Sequence, residues 1–107
     1  MAERYREKAH AIEWVDANAE RLSEFHLEIW NYAEPAWREY KSARAYCELL
    51  RSEGFEVEEG SGDMPTAFVA RFGDGGPVLG AYAEYDAVPG NSQQPVPYRA
   101  PREGLHP

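Results

Sequence analysis

The chain opens with a long amphipathic pattern. Ile12, Val15, Ala19, Leu22, Phe25, Ile29 and Ala33 recur at spacings of three and four, while Glu13, Asp16, Glu20, Arg21 and Glu24 fall mostly between them. That periodicity puts the apolar set on one helical face and predicts one helix over about 6–33. Glu34-Pro35 ends it, because a proline inside a helix loses a hydrogen bond and clashes with the preceding turn. A second helix is predicted over about 37–53, with Ala43, Tyr46, Cys47 and Leu50 as its inner stripe and Gly54 at a left-handed cap.

The pattern then changes period. Phe55-Glu56-Val57-Glu58 alternates apolar and charged, so a half-exposed strand is expected over about 55–59. A second strand is expected over 66–72, bounded by Pro65 and Gly73. Gly73-Asp74-Gly75-Gly76 reads as a hairpin turn, since these residues tolerate positive φ and no phosphate-loop lysine follows. Residues 77–85 carry Val78, Leu79, Ala81, Tyr82 and Ala83 in a nearly unbroken apolar run, as in a strand covered on both faces. Such a strand wants neighbours that a short chain does not offer. The stretch 89–107 holds five of the eight prolines and little to anchor a core. It is expected to be an extended, mobile tail or a connection cut in mid-course. The fold class expected is therefore α/β: a helical hairpin and a small β-sheet forming a partial domain over 1–88, then the tail.

Composition narrows the partners. The 107 residues are 43% hydrophobic and 13% aromatic, which is globular composition. Nineteen Asp and Glu against 11 Lys and Arg give a net charge of −8. That field repels phosphate backbones and anionic lipid, arguing against nucleic-acid and membrane partners; it also suits a salt-loving host. One cysteine, Cys47, rules out an internal disulfide and reads as a small buried apolar residue on a helix stripe. The N-terminus is charged and no apolar run reaches the ~20 residues a bilayer requires, so a cytoplasmic location is expected.

Candidate chemistry concentrates at Ala83-Glu84-Tyr85-Asp86-Ala87-Val88-Pro89-Gly90. On a strand, Glu84 and Asp86 point to the same face about 6–7 Å apart. Two ionised carboxylates at that separation repel by roughly 2–3 kcal/mol at an effective dielectric of about 20, which water, a cation or a histidinium can offset. They also follow an apolar strand, where open α/β sheets place ligands. A plainer reading remains open on spacing alone: two solvated carboxylates at a strand exit. His10 and His26, sixteen apart on the first helix, have no metal-ligand pattern and read as surface or interfacial; His106 in the tail has no evident partner. Trp14, Trp30 and Trp37, with Tyr32, read as packing anchors rather than as a binding surface.

The segments Gly62-Asp63-Met64-Pro65-Thr66-Ala67-Phe68-Val69-Ala70 and Glu84-Tyr85-Asp86-Ala87-Val88-Pro89-Gly90 resemble the aminobenzoyl-glutamate hydrolase group of the zinc aminoacylase and carboxypeptidase family. Glu34-Pro35 and Leu50-Arg51-Ser52-Glu53-Gly54-Phe55-Glu56-Val57 fit the same alignment, so the resemblance covers roughly residues 25–94. It implies the first part of a larger α/β metallohydrolase catalytic domain. It further implies an inserted dimerisation domain, one or two divalent ions such as zinc, and a small amide substrate of the acyl- or aroyl-amino acid class. Asp86 matches the acidic residue that orients a metal-binding histidine, and Glu84 stands where the carboxypeptidase branch has a metal-ligating histidine. Val88 replaces the group's usual leucine, and Ala83 a glycine.

In the family the glycine-histidine metal motif, the paired glutamates that supply the general base and the remaining histidine ligands all come after this point. The expectation is therefore an N-terminal fragment, inactive alone, with no metal or cofactor held by this chain and its standing as an enzyme left open. The competing expectation is a small stand-alone interaction or structural module without catalysis. An uncovered sheet edge would give self-association; a cooperative melt of a soluble monomer would favour the module.

Overall fold

The computed structural model describes residues 5–103. In chain order they form α1 (Arg6–Ala17), α2 (Ala19–Tyr32), α3 (Tyr40–Ser52), β1 (Glu56–Glu59), a single 3-10 turn (Ser61–Asp63) and β2 (Phe68–Arg71). The architecture is mixed α/β, as expected. The described part begins with helices, and α2 and α3 make an antiparallel hairpin: Phe25 meets Tyr46 edge-on at 4.8 Å, and Arg21 Nη1 lies 2.6 Å from Glu53 Oε1.

The single helix expected over 6–33 is two helices. The break is at Asn18, whose backbone leaves helical geometry at φ −113°, ψ 12°. Its side-chain amide donates to the Trp14 carbonyl at 2.9 Å, the same carbonyl its backbone N–H reaches at 3.1 Å. Asparagine competes with the helix for its own carbonyls, and here that competition wins. The consequence falls on α1. Ile12 and Val15 belong to the predicted apolar stripe but remain 61% and 49% exposed, whereas Leu22, Phe25 and Ile29 of α2 are half-buried.

Helix α3 carries the packing. Cys47 and Ser42 are 1% exposed, and Ala43, Tyr46 and Leu50 flank them on the inner face. Burial, then the nearby Glu59 carboxylate, pushes the Cys47 thiol up, so it stays protonated and behaves as the small apolar residue its position suggested. The helix closes as expected. Gly54 lies at φ +93°, its N–H bonds Arg51 O at 3.0 Å, and Phe55 N–H bonds Leu50 O at 3.0 Å. These are the two bonds of a Schellman cap, which glycine makes without a Cβ penalty.

β1 and β2 pair antiparallel, with Val57 opposite Ala70 and Glu59 opposite Phe68. Residues directly opposite share a face, so this set faces α3. Phe68 stacks on Tyr46 at 6.1 Å, and Glu59 receives Arg51 at 2.9 Å. Glu58 and Arg71 lie on the outer face, 3.9 Å apart.

The third strand expected over 77–85 is absent from the described residues, and Gly73–Gly76 therefore turns no hairpin. Residues 77–88 run without secondary structure, with Val78, Leu79 and Tyr82 at 89%, 92% and 89% exposure. The physical reason is that pairing needs a neighbour and burial needs a cover, and β1 and β2 with one layer of helix supply neither to this stretch. The tail also differs from expectation over its described part. Residues 91–102 fold back on themselves around the Gln93 side chain, whose Nε2 donates to Gln94 O at 2.9 Å and Tyr98 O at 2.7 Å, while its Oε1 accepts the Ala100 N–H at 3.0 Å. Trp30 Nε1 clamps the loop by donating to Gln93 O at 2.9 Å.

Two acidic residues knit these parts together. Glu34 follows Ala33, a left-handed residue at φ 46° that turns the chain out of α2. Its carboxylate accepts the N–H groups of Lys41 at 3.0 Å and Ser42 at 2.8 Å, orphan donors in the first turn of α3, and its carbonyl accepts the Ala87 N–H at 2.7 Å. Glu39, 8% exposed, accepts the Trp37 N–H at 2.6 Å and the Thr66 hydroxyl. The Thr66 carbonyl in turn accepts the Tyr85 hydroxyl.

Burial works to raise the Glu34 pKa, but the Lys41 and Ser42 N–H bonds outweigh it and hold the carboxyl below its ordinary value of 4.5. A depressed folded-state pKa contributes stability that is full above the unfolded value and is lost as pH falls through the folded one. An acid titration followed by circular dichroism should therefore show a loss of stability below about pH 4.5 that Glu34→Gln flattens. The same substitution should cost about 1 kcal/mol at pH 7, as loss of a capping acceptor does. Tyr85→Phe should cost about 1 kcal/mol through the orphaned Thr66 carbonyl. Tyr85→Ala should cost about 3 kcal/mol, because the ring goes as well; urea melts of the three proteins check the order.

Candidate functional site

The Glu84–Ala87 segment is anchored by Tyr85. Its ring lies 5.1 Å from Tyr46 and 5.9 Å from Phe68, and its hydroxyl reaches Thr66 O. Burial, then the neighbouring Glu39 carboxylate, raises the phenol pKa, so it acts as a hydrogen-bond donor. Successive residues of an extended chain alternate sides. With Tyr85 turned inward and Ala87 tied to Glu34, Glu84 and Asp86 are left exposed on the other side.

Both carboxylates line two hollows on either side of the segment. The larger is a cleft of about 360 Å³ between α2 and the loop 91–102. Its α2 wall is Phe25, His26, Ile29 and Trp30; Asn91, Ser92, Gln93 and Arg102 form the wall opposite. The smaller, about 270 Å³, lies towards Trp37, Glu39, Met64 and Thr66. The structure thus brings Glu84 and Asp86 together at one place, as their spacing predicted, and adds a walled cavity that spacing could not predict.

The other candidates distribute as follows. His26 borders the larger cleft and lies 5.8 Å from the Trp30 ring; His10 is exposed on α1, so both are surface histidines, as expected. His106 lies outside the described residues. Of the three tryptophans expected as packing anchors, only Trp30 makes a specific attachment. Trp37, held at φ 69°, is 65% exposed, and Trp14 is 40% exposed on α1. Sequence reasoning missed Glu34, Glu39 and Gln93. For the two glutamates a signal existed, since an acidic residue just ahead of a predicted helix start is a candidate acceptor for its orphan N–H groups. Gln93 sits among prolines without periodicity and gave none.

A divalent ion, which the resemblance implies, needs about three protein ligands and an open position. Glu84 and Asp86 bring two carboxylates to the cleft, and among the described residues no group of three His, Cys, Asp or Glu side chains stands together as a metal site. The residues present do not fit the ion by themselves. Among the described residues no helix is long and apolar enough to cross a membrane.

Comparison with known proteins finds two informative relatives. The chain is 40% identical over 80 residues to a p-aminobenzoyl-glutamate hydrolase subunit of Escherichia coli (strain K12), which is 75% of this chain and 17% of that protein. It is 32% identical over 79 residues to Thermostable carboxypeptidase 1 of Saccharolobus solfataricus, 72% of this chain and 20% of that protein. The chain therefore spans a fifth or less of the length of these relatives. No protein-family profile matches it, and no solved structure does. Over the matched three quarters of its length, this chain belongs with the aminobenzoyl-glutamate hydrolase and carboxypeptidase family that its motifs resemble.

Proposed function

We propose that this chain is the leading part of a metal-dependent amidohydrolase cleaving amide bonds of acyl- or aroyl-amino acids, with aminobenzoyl-glutamate as the leading substrate. On this reading the chain is inactive alone. Residues beyond it bring the metal-binding histidines and the general base, and Asp86 orients one of those histidines by accepting its ring N–H. That contact fixes the tautomer and makes the other nitrogen a better ligand. Glu84 stands beside it as a carboxylate able to meet the ion directly. The bound ion would supply an activated water and polarise the amide carbonyl.

The observation that supports this reading is the way residues 84–86 are presented. Tyr85 and Ala87 are fastened to the core, and the two carboxylates stand at the rim of a walled cleft. A solvated strand exit needs no such anchoring. The exposed run Val78, Leu79 and Tyr82 also supports a longer protein, since apolar side chains at 89%, 92% and 89% exposure call for further cover. That the first relative's name makes it a subunit supports a partner subunit for the complete protein.

The test is expression of the reading frame continued past codon 107. The product should retain zinc through gel filtration and hydrolyse aminobenzoyl-glutamate, and Asp86→Asn should lower zinc affinity or activity about 10–100-fold with an unchanged circular dichroism spectrum. The 107-residue chain should do neither. Wild-type zinc content and turnover in the Asp86→Asn protein would remove Asp86 from the site.

A further inference from the structure

The larger cleft has a charge arrangement that the proposed hydrolysis does not require. Glu84 and Asp86 line it at the segment that crosses its floor, and Arg102 lines it from the loop 91–102. Arg102 forms no ion pair within 4.0 Å among the described residues, and its guanidinium makes only a long contact, 3.4 Å, to the Trp30 carbonyl. Asn91 stands on the same loop wall, and His26 on the α2 wall, both able to donate. Between the charged groups lies apolar surface from Phe25, Ile29 and Trp30. The volume of about 360 Å³ falls in the range of small-molecule sites, which combine apolar walls with a few convergent polar groups.

We infer that this cleft binds a zwitterionic amino acid with an apolar or aromatic side chain. Its carboxylate meets the Arg102 guanidinium, its ammonium faces Glu84 and Asp86, and its side chain lies on Trp30 and Ile29. Guanidinium and carboxylate match as a two-bond fork, which makes an unpaired arginine in a cavity a carboxylate receptor. The sign of the rest of the lining excludes a simple carboxylate: two nearby carboxylates repel it unless the ligand brings its own cation. A simple ammonium ion leaves Arg102 without a partner. A molecule carrying both charges a few ångströms apart satisfies both ends. The loop is prepared for this role, because Gln93 holds its fold and Trp30 Nε1 holds it against α2 at 2.9 Å, so the Arg102 wall is in place before a ligand arrives. This inference rests on the proposed reading only in naming the ligand of the same site, as the amino-acid half of an amide substrate.

The test uses the 107-residue chain with Trp14→Phe and Trp37→Phe, which leaves Trp30 as the sole tryptophan reporter. L-Phenylalanine should produce a saturable change in Trp30 emission, with benzoate and phenethylamine each about tenfold weaker or more. Arg102→Gln should weaken phenylalanine by about tenfold and leave phenethylamine unchanged; Glu84→Gln should weaken phenethylamine and phenylalanine but not benzoate. Circular dichroism establishes that each variant is folded, and Arg102→Lys, which keeps charge without the fork, should fall between parent and Arg102→Gln. No saturable change with phenylalanine, equal binding of either single-charge compound, or full affinity in a folded Arg102→Gln protein each overturns the inference. None of these results bears on zinc binding or turnover by the longer protein, so the two proposals fail separately.

Discussion

Glu34 holds the described structure together at its one junction. Its carboxylate closes the first turn of α3 by accepting two orphan N–H groups, and its carbonyl holds the segment that carries Asp86. The residue before it, Ala33, takes the left-handed conformation that swings the chain from one helix toward the next. A helix start, a helix end and the candidate site thus meet at one residue. Glu39 repeats the device one turn on, linking the start of α3 through Thr66 to the Tyr85 hydroxyl. Buried carboxylates fully supplied with donors specify geometry more sharply than apolar contact does. That matters here because the apolar core is thin: Cys47 is the one apolar side chain fully buried among the described residues.

The parts legible in the sequence were those governed by local periodicity. The inner stripe of α3, its glycine cap and the two paired strands follow from spacing and from turn residues acting at short range. What escaped was decided by competition or by missing partners. Asn18 divides the first helix because its amide takes a carbonyl that the amphipathic pattern assigned to the ladder. Residues 77–85 have strand composition without a strand, since composition reports what a segment can bury and not whether a neighbour is there to pair with it. The loop 91–102 reads as a proline-rich tail, yet one glutamine side chain gives it a fold through bonds to its own backbone. Two carboxylates two residues apart were visible at once; the cleft beside them depends on Trp30, more than sixty residues from the loop it clamps, and no local pattern contains that contact.

The candidate site is therefore an arrangement of supports as much as of charges. Tyr85 faces the core among Tyr46 and Phe68, and this turns its neighbours outward. The same anchoring that costs the segment its freedom gives Glu84 and Asp86 a defined direction, as a group that orients a metal ligand requires. The relatives place the chain in a family of hydrolases, and its share of their length accords with the exposed apolar run. Both fit a unit whose remaining layers and remaining site residues belong to a longer protein.

The central claim is that residues 77–83 are a strand awaiting neighbours while residues 84–87 are already held in place. Amide hydrogen exchange tests both halves in one comparison, between the 107-residue chain and the product of the frame continued past codon 107. In the short chain the account predicts rapid exchange at Val78, Leu79 and Tyr82, with protection at Ala87 and across β1 and β2. In the longer protein it predicts that protection extends through 78–82. Protection of 78–82 already in the short chain, or its continued absence in a folded longer protein, would contradict the account.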